Sequence, residues 1–297
     1  PPLPPLESQH PYDAAMSVAR GLRRPPPTDD ARRAYRSAYL AKAAQADVFA
    51  GTVLNAASAS TLVAVVSDHG EMRLEHGTWQ KGSLHEGSAR VAFVLRPPRA
   101  ATATTAAVAR VARRVVSLID VYATLLDAAD GAPPRRDASR AGSLLPLLRA
   151  GADSAALGAE AGAGVVSEYH GPTAPTGACM LRRGRHKYVE YGGLFFGADA
   201  FPPQLFDVEA DEEERHDLAA VETETLAAMR AAMRERLDCQ AADRAAKRHD
   251  YELYEEAIND WDHAQRVMKQ DYDLDMIEGW SGDYNEITYI NIDGNSY

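Results

Sequence analysis

A chain of 297 residues, 45% of them hydrophobic, is long enough to bury one large α/β core or one and a half ordinary domains. Its 43 acidic side chains against 32 basic ones give a formal net charge of −11, which argues against a nucleic-acid or polyanion-binding surface and leaves room only for a local basic pocket. Two cysteines, Cys179 and Cys239, are too few for a disulfide framework and leave the redox compartment open, and no apolar run approaches the roughly 20 residues of a membrane span.

Residues 1 to 28 are proline-rich at both ends and predict irregular connection, with His10 inside them in Q-H-P-Y-D. Thr28, Asp29 and Asp30 are N-cap residue types, and the proline-free, alanine-rich run from about 31 to 56 predicts a long helix. Tyr35, Tyr39, Ala46, Phe49 and Val53 fall at helical spacing and form a stripe expected to face a sheet. Thr61 to Val66 is continuously apolar and β-branched, the pattern of a strand buried on both faces. It stops at Ser67-Asp68-His69-Gly70. Ligands of open α/β sheets bind beyond the carboxyl ends of strands, so Asp68 and His69 are expected at the mouth of a site. Glu71, Glu75, His76 and Lys81 follow, with glycines at 70, 77 and 82. A rigid strand carrying an acid and an imidazole, then a polar loop carrying a lysine, suits a metal-plus-oxyanion site.

Further on, Arg90 to Arg96 alternates into an apolar strand closed by Pro97-Pro98. Val115 to Ile119 reads as a buried strand or strand end, with Asp120 capping a helix through V-Y-A-T-L-L. Residues 150 to 163 are low-complexity Ala/Gly, a linker or surface loop. Four short strands are then expected near 165–169, 178–182, 186–191 and 204–208, making a small antiparallel sheet, followed by a helix over about 219–238. Cys179 reads as a half-buried strand cysteine. The tail from 240 to 297 is acidic, and Leu253, Ala257, Trp261 and Ala264 give its helical part a narrow stripe for docking.

The string S-D-H-G-E followed by E-H-G-T-W-Q-K-G resembles the second signature of the type I sulfatases, members of the alkaline phosphatase superfamily. In that family the aspartate and its neighbour bind calcium, and a lysine 13 positions on contacts the sulfate; Asp68, His69 and Lys81 stand in that register. A branch of the family acting on glucuronate 2-sulfate has a similar H-P-x-D ahead of its D-H-G and a similar S-E-F-H-G. The resemblance therefore implies that His10 contacts the sulfate or donates a proton to the departing alcohol, a role suited to an imidazole. By the same resemblance His170, or Arg183, meets a uronate carboxylate. Where the family usually carries an aromatic residue and a proline, this chain has His85 and Ala92; His85 is read as a packing substitution.

The implied fold class is α/β: an alkaline-phosphatase-like mixed sheet flanked by helices, with a smaller C-terminal antiparallel sheet plus helix and a helical tail. Residues 1–150 would be the C-terminal part of the large domain, 164–238 the small α+β domain and 239–297 the acidic tail. The implied activity is hydrolysis of a sulfate ester on a small molecule or oligosaccharide, with one Ca2+ ion and a formylglycine nucleophile. Formylglycine derives from a cysteine or serine in C-x-P-S-R. Cys179, in C-M-L-R-R, lacks the proline and falls too late in the chain, so the nucleophile and the first pair of calcium aspartates are expected outside these residues. With neither an initiator methionine nor a signal peptide, the chain is expected to be a C-terminal portion of a longer protein of the secretory pathway, lysosomal or extracellular. Two other classes stay open: a phosphodiesterase or phosphonate hydrolase of the same superfamily, and a catalytically incomplete fragment or binding module.

Overall fold

The computed structural model describes residues 8–19, 28–98, 114–129, 142–150, 164–171, 174–193, 197 and 199–260. The Ala/Gly segment 151–163 and the tail beyond 260, with Trp261 and Ala264, lie outside them. The architecture is mixed α/β, with helices and two antiparallel sheets.

The C-terminal sheet holds most of the core. Its order is β3 (Val165–Tyr169), β4 (Ala178–Arg183), β5 (His186–Tyr191) and β6 (Gln204–Asp207), each strand antiparallel to the next. β4 and β5 join through the two-residue turn Gly184-Arg185, where Gly184 adopts a φ of +57° that costs glycine nothing. Because side chains alternate across a strand, β4 and β5 build two cores at once. Ala178, Met180, Val189 and Tyr191 pack on one face against Tyr12, Met16, Leu84 and Phe201. Cys179, Leu181 and Tyr188 pack on the other against Leu205, Met229, Met233 and Cys239. The first set is covered by α1 (Pro11–Ala19), the second by α6 (Thr223–Arg234) and the start of α7 (Cys239–Asn259).

Helix α7 is fastened to this sheet in two ways. Asp243, fully buried, accepts hydrogen bonds from Thr176 Oγ1 (2.5 Å) and from the Gly177 amide (2.7 Å). Cys179 and Cys239 form a disulfide, with Cα atoms 5.9 Å apart. The reading of Cys179 as a half-buried strand cysteine is therefore corrected: it lies in strand β4 but is completely buried and covalently tied to the tail helix.

The N-terminal half holds the second sheet, β1 (Val63–Val66) against β2 (Phe93–Arg96), with Val63 opposite Arg96 and Val66 opposite Phe93. β1 was expected to be covered on both faces; instead it is half-buried, and Val66 is 42% exposed. Among the described residues β2 is its one strand partner.

Thr28 caps α2 (Asp29–Ala56), its hydroxyl accepting from the Ala31 amide at 3.2 Å, and Asp29 and Asp30 complement the helix dipole in the first turn. The 3.6-residue periodicity is present, but the stripe does not face a sheet. No α2 residue is buried, and Phe49 and Val53 are 61% and 60% exposed. Hydrogen bonds from Tyr35, Arg36 and Arg96 tie this helix to the rest. The expected strand at 115–119 is instead a bend and turn opening α4 (Ile119–Ala128). Asp120 is the second residue of α4 rather than its cap; its carboxylate accepts from the amides of Ser117 (2.9 Å) and Gly142 (2.9 Å), fixing the entry to α4 and α5 (Leu145–Ala150).

Candidate active site

At the end of β1 the chain turns at Ser67 to Gly70, and three of the predicted residues meet there. The Asp68 carboxylate accepts from the His69 amide through Oδ1 (2.9 Å), and its Oδ2 lies 3.5 Å from His69 Nε2. His69 Nδ1 faces the carbonyl of Gly70 at 2.8 Å. A carbonyl only accepts, so Nδ1 carries the hydrogen and Nε2 keeps its lone pair. Lys81 Nζ donates to that Nε2 at 2.9 Å. An acid, an imidazole lone pair and an ammonium thus converge on one ring, and the Asp68 side chain, 83% exposed, opens to solvent.

The loop carrying Lys81 is held from several sides. Met72 N donates to Gln80 O (2.9 Å), closing its neck. The Glu71 carboxylate gathers the amides of Gln80 (2.5 Å) and Arg73 (3.2 Å) and the hydroxyl of Tyr35 on α2 (2.9 Å). Arg73, Leu74, His76 and Gln80 all have positive φ, a conformation that persists only where surroundings over-determine it. The His69-Gly70 bend rests on α3 (Glu86–Ala89): Gly70 N donates to Ser88 O at 2.7 Å, and a Cβ on Gly70 would lie 2.1 Å from Gly87 O. Only glycine fits there.

His10 and His170 lie apart from this cluster. His10 Nε2 donates to Pro202 O (2.8 Å), Nδ1 accepts from the Tyr12 amide (3.2 Å), and the ring stacks on Tyr191 at 5.1 Å. Burial pushes its pKa down against the raising effect of the Pro202 bond. His170 Nε2 is 3.2 Å from Glu168, and Nδ1 is 3.6 Å from the Asp243 that anchors α7. Arg183 is exposed at the end of β4, opposite His186.

A second, buried charge cluster lies behind the loop, and His85 is its centre. Instead of filling the space of an aromatic ring alone, His85 places Nε2 3.0 Å from Asp13 Oδ2 and Nδ1 3.3 Å from Glu214 Oε2. Its reading as a packing substitution is thereby corrected, since both nitrogens face carboxylates and the ring is 6% exposed. Lys187, fully buried in β5, sits 2.8 Å from Glu214 Oε1 and donates to Glu86 Oε1 at 3.0 Å. His76 stacks on His85 with centroids 3.8 Å apart and planes 3° from parallel. Burial would lower the His85 pKa, but Asp13 and then Glu214 outweigh it and hold it at about 10. Burial would raise Glu214; Lys187 and His85 overcome that and hold it far below the usual carboxylate range. Asp13 is likewise held down, against burial, by His85. Burial, and then His85, push His76 down, so it stacks as a neutral ring.

Sequence reasoning missed Asp13, Glu214 and Lys187 because the positions joined to His85 are 72 and 129 residues away. The one local sign was a histidine in an aromatic slot.

These shifts fix a pH window. The contribution of Glu214 is present above its ordinary pKa of 4.5 and is lost as pH falls through its depressed folded value. That of His85 is complete below 6.5 and is lost as pH rises toward about 10. The joint contribution of these two groups is therefore complete between about pH 4.5 and 6.5, the lowered His10 and His76 act against the folded state below about pH 6.5, and unfolding free energy is expected to fall from pH 7 to 10. Thermal melts across that range should show a steeper alkaline loss in the parent protein than in His85→Gln.

Two other groups bring metal-ligand residue types together, and neither suits an ion. In Asp13-His76-His85 the rings are stacked and both His85 nitrogens are committed to carboxylates. In Glu168-His170-Cys179 the sulfur belongs to the disulfide. Asp68 and His69 fit better: the Asp68 carboxylate is open, and the His69 Nε2 beside it is engaged by Lys81, which would have to yield it to an ion. They would supply two ligands of the six to eight that a calcium ion takes.

The fold is that of known hydrolases. A putative sulfatase from Bacteroides thetaiotaomicron superposes with a TM-score of 0.61 at 22% identity, over 79% of this chain and 51% of that one. Phosphonate monoester hydrolase from Silicibacter pomeroyi superposes with a TM-score of 0.60 at 23% identity, over 81% of this chain and 51% of that one. This is the alkaline-phosphatase-like α/β fold.

Within that class the chain belongs to the sulfatase family: residues 6–132 match the Sulfatase family model. Arylsulfatase K of Xenopus laevis is 32% identical over 223 residues, which are 72% of this chain and 39% of that protein. The chain thus spans well under half the length of this curated relative. Among the described residues, no helix is long and apolar enough to cross a membrane.

Proposed function

We propose that this chain supplies part of the active site of a sulfuric ester hydrolase, with Asp68 and His69 as ligands of a divalent calcium ion and Lys81 as the cation that faces the sulfate. The observation that carries the reading is the 2.9 Å contact of Lys81 with His69, whose ring also lies beside the Asp68 carboxylate. Calcium, a hard cation preferring oxygen, would hold the sulfate and stabilise charge on its oxygens when bound. Lys81 adds fixed positive charge where the transferring group is negative, an electrostatic contribution that needs no reorganisation during the reaction. The nucleophile in this reading is a formylglycine outside this chain.

The substrate class is a sulfated sugar, and the resemblance of Q-H-P-Y-D and S-E-Y-H-G to the branch acting on glucuronate 2-sulfate favours a uronate 2-sulfate of a glycosaminoglycan. His10 would contact the leaving oxygen and His170 the uronate carboxylate. For that, His10 must exchange its bond to Pro202 for the substrate, because both its nitrogens are engaged. In the same reading residues 1–150 and 164–238 are parts of the large and small domains, and 239–297 is an appended tail. The Cys179–Cys239 disulfide supports a secretory, lysosomal or extracellular location, since such bonds persist in oxidising compartments.

The rival reading, a phosphonate or phosphodiester hydrolase, shares the fold, so substrates must decide. The intact protein is expected to hydrolyse 4-nitrophenyl sulfate in a reaction abolished by EGTA and restored by calcium. Turnover of phenylphosphonate monoesters in place of sulfate would favour the rival, and turnover of neither the incomplete-fragment reading.

A further inference from the structure

We propose that Asp13, His85, Glu214 and Lys187 form a buried clasp that positions the Lys81 loop, so that His85 is a positioning residue for the site described above. The proposal rests on the sulfatase reading for what is positioned, and on geometry for how.

His85 occupies the N-cap position of α3, the helix on which the His69-Gly70 bend rests. Between Lys81 and His85 the chain runs through Gly82, Ser83 and Leu84, all buried, so a displacement of His85 passes directly to the ammonium. On the far side of the clasp, Asp13 lies three residues after His10 on α1, which packs on the small sheet. Lys187 belongs to that sheet and Glu214 to the turn after β6. Three separate segments are therefore pinned at one imidazole: the site loop, the helix after His10, and the sheet.

Two observations set this apart from ordinary packing. Every non-glycine residue with positive φ among the described residues is in the loop at 73–80 or is Glu214 itself. Backbone strain of this kind persists only where its surroundings hold it. The second is charge: three carboxylates, an imidazole and an ammonium face one another with side chains no more than 16% exposed. Buried ion pairs of this kind are often no more stabilising than apolar side chains of the same volume, and what they do supply is a defined geometry. The facing groups are His10 just before α1, Asp13 from α1, His76 from the 3-10 turn (Glu75–Gly77), Glu86 from α3, Lys187 from β5 and Glu214. His76 also joins the Glu214 turn, through the Glu213 carbonyl at 2.8 Å.

The test uses the intact protein with His85→Gln, Asp13→Asn and the double variant. Hydrogen exchange of residues 69–90 is expected to rise at least tenfold in His85→Gln. With 4-nitrophenyl sulfate, kcat is expected to fall at least tenfold while KM changes less than threefold, because the lost alignment matters in the transition state. The double variant, which removes one charge of each sign, should recover part of the exchange protection. Should His85→Gln fail to fold, Asp13→Asn decides, because it leaves the His85–Glu214 pair in place. A folded variant with parental exchange and parental kcat overturns the clasp, as does a loss of activity that only follows the folded fraction. If the parent protein hydrolyses no sulfate ester, the sulfatase reading fails, and exchange over 69–90 still decides the clasp.

Discussion

Lys81→Ala is expected to lower sulfate-ester turnover of the intact protein at least a hundredfold without disturbing the fold. Removing one preorganised donor aimed at developing negative charge costs about 3 kcal/mol in comparable sites, and each 1.4 kcal/mol or so is a factor of ten in rate. The side chain is exposed, and the hydrogen bond described for it goes to His69 Nε2. Substitutions at such positions usually change stability by no more than about 0.5 kcal/mol. Its removal should therefore act on kcat and leave the thermal midpoint in place. Circular dichroism melts beside initial-rate kinetics check both halves. Turnover within threefold of the parent would remove Lys81 from the chemistry.

The second large effect is on stability. Breaking the Cys179–Cys239 bond opens a covalent loop spanning 60 residues, which restores chain entropy to the unfolded state worth about 4 kcal/mol on the loop-closure model. Both cysteines are buried in the core shared by β4, α6 and α7, so the thiols left behind have no water to turn to. At roughly 4–8 °C per kcal/mol for a unit of under about 100 residues, the melting midpoint of the unit holding β3 to α7 should fall by roughly 15–30 °C under reducing conditions, and similarly in Cys179→Ala/Cys239→Ala. The Asp243 contacts to Thr176 and Gly177 remain, so α7 should stay docked at room temperature. A midpoint unchanged by dithiothreitol would mean that the bond adds nothing to holding α7.

What the sequence disclosed and what it hid divide along physical lines. The four strands of the small sheet were legible because short apolar runs between Gly and Pro turns are local signals, and β3 to β6 lie where those runs fall. The place of Asp68 and His69 after a strand, and of Lys81 one loop later, was equally local. His85 was not, because its meaning depends on Asp13 and Glu214, which the fold brings to it from far along the chain. The cysteine pair was opaque for the same reason: two cysteines 60 residues apart carry no spacing that distinguishes a bridge from two thiols. Along α2 the periodicity was genuine, yet periodicity records which side of a helix is apolar, not what covers it. At Val115 to Ile119, β-branched residues suggested a strand, but Asp120 binds the Ser117 amide and starts a helix there. Strand propensity yielded to that local hydrogen bond.

The clasp and the site loop join in one proposal: the end of β1 would supply the ligands, the loop returns a lysine to His69, and buried charge behind α3 would fix the distance between the two. Its central claim is that Asp68, His69 and Lys81 address a single ion and a single anion. The most direct measurement is a crystal structure of the intact protein with calcium and a bound sulfate ester. The account predicts a calcium ion about 2.3–2.6 Å from an Asp68 oxygen, with the sulfate within about 3 Å of Lys81 Nζ. A calcium ion ligated elsewhere, or a sulfate ester lying out of reach of Lys81, would contradict it.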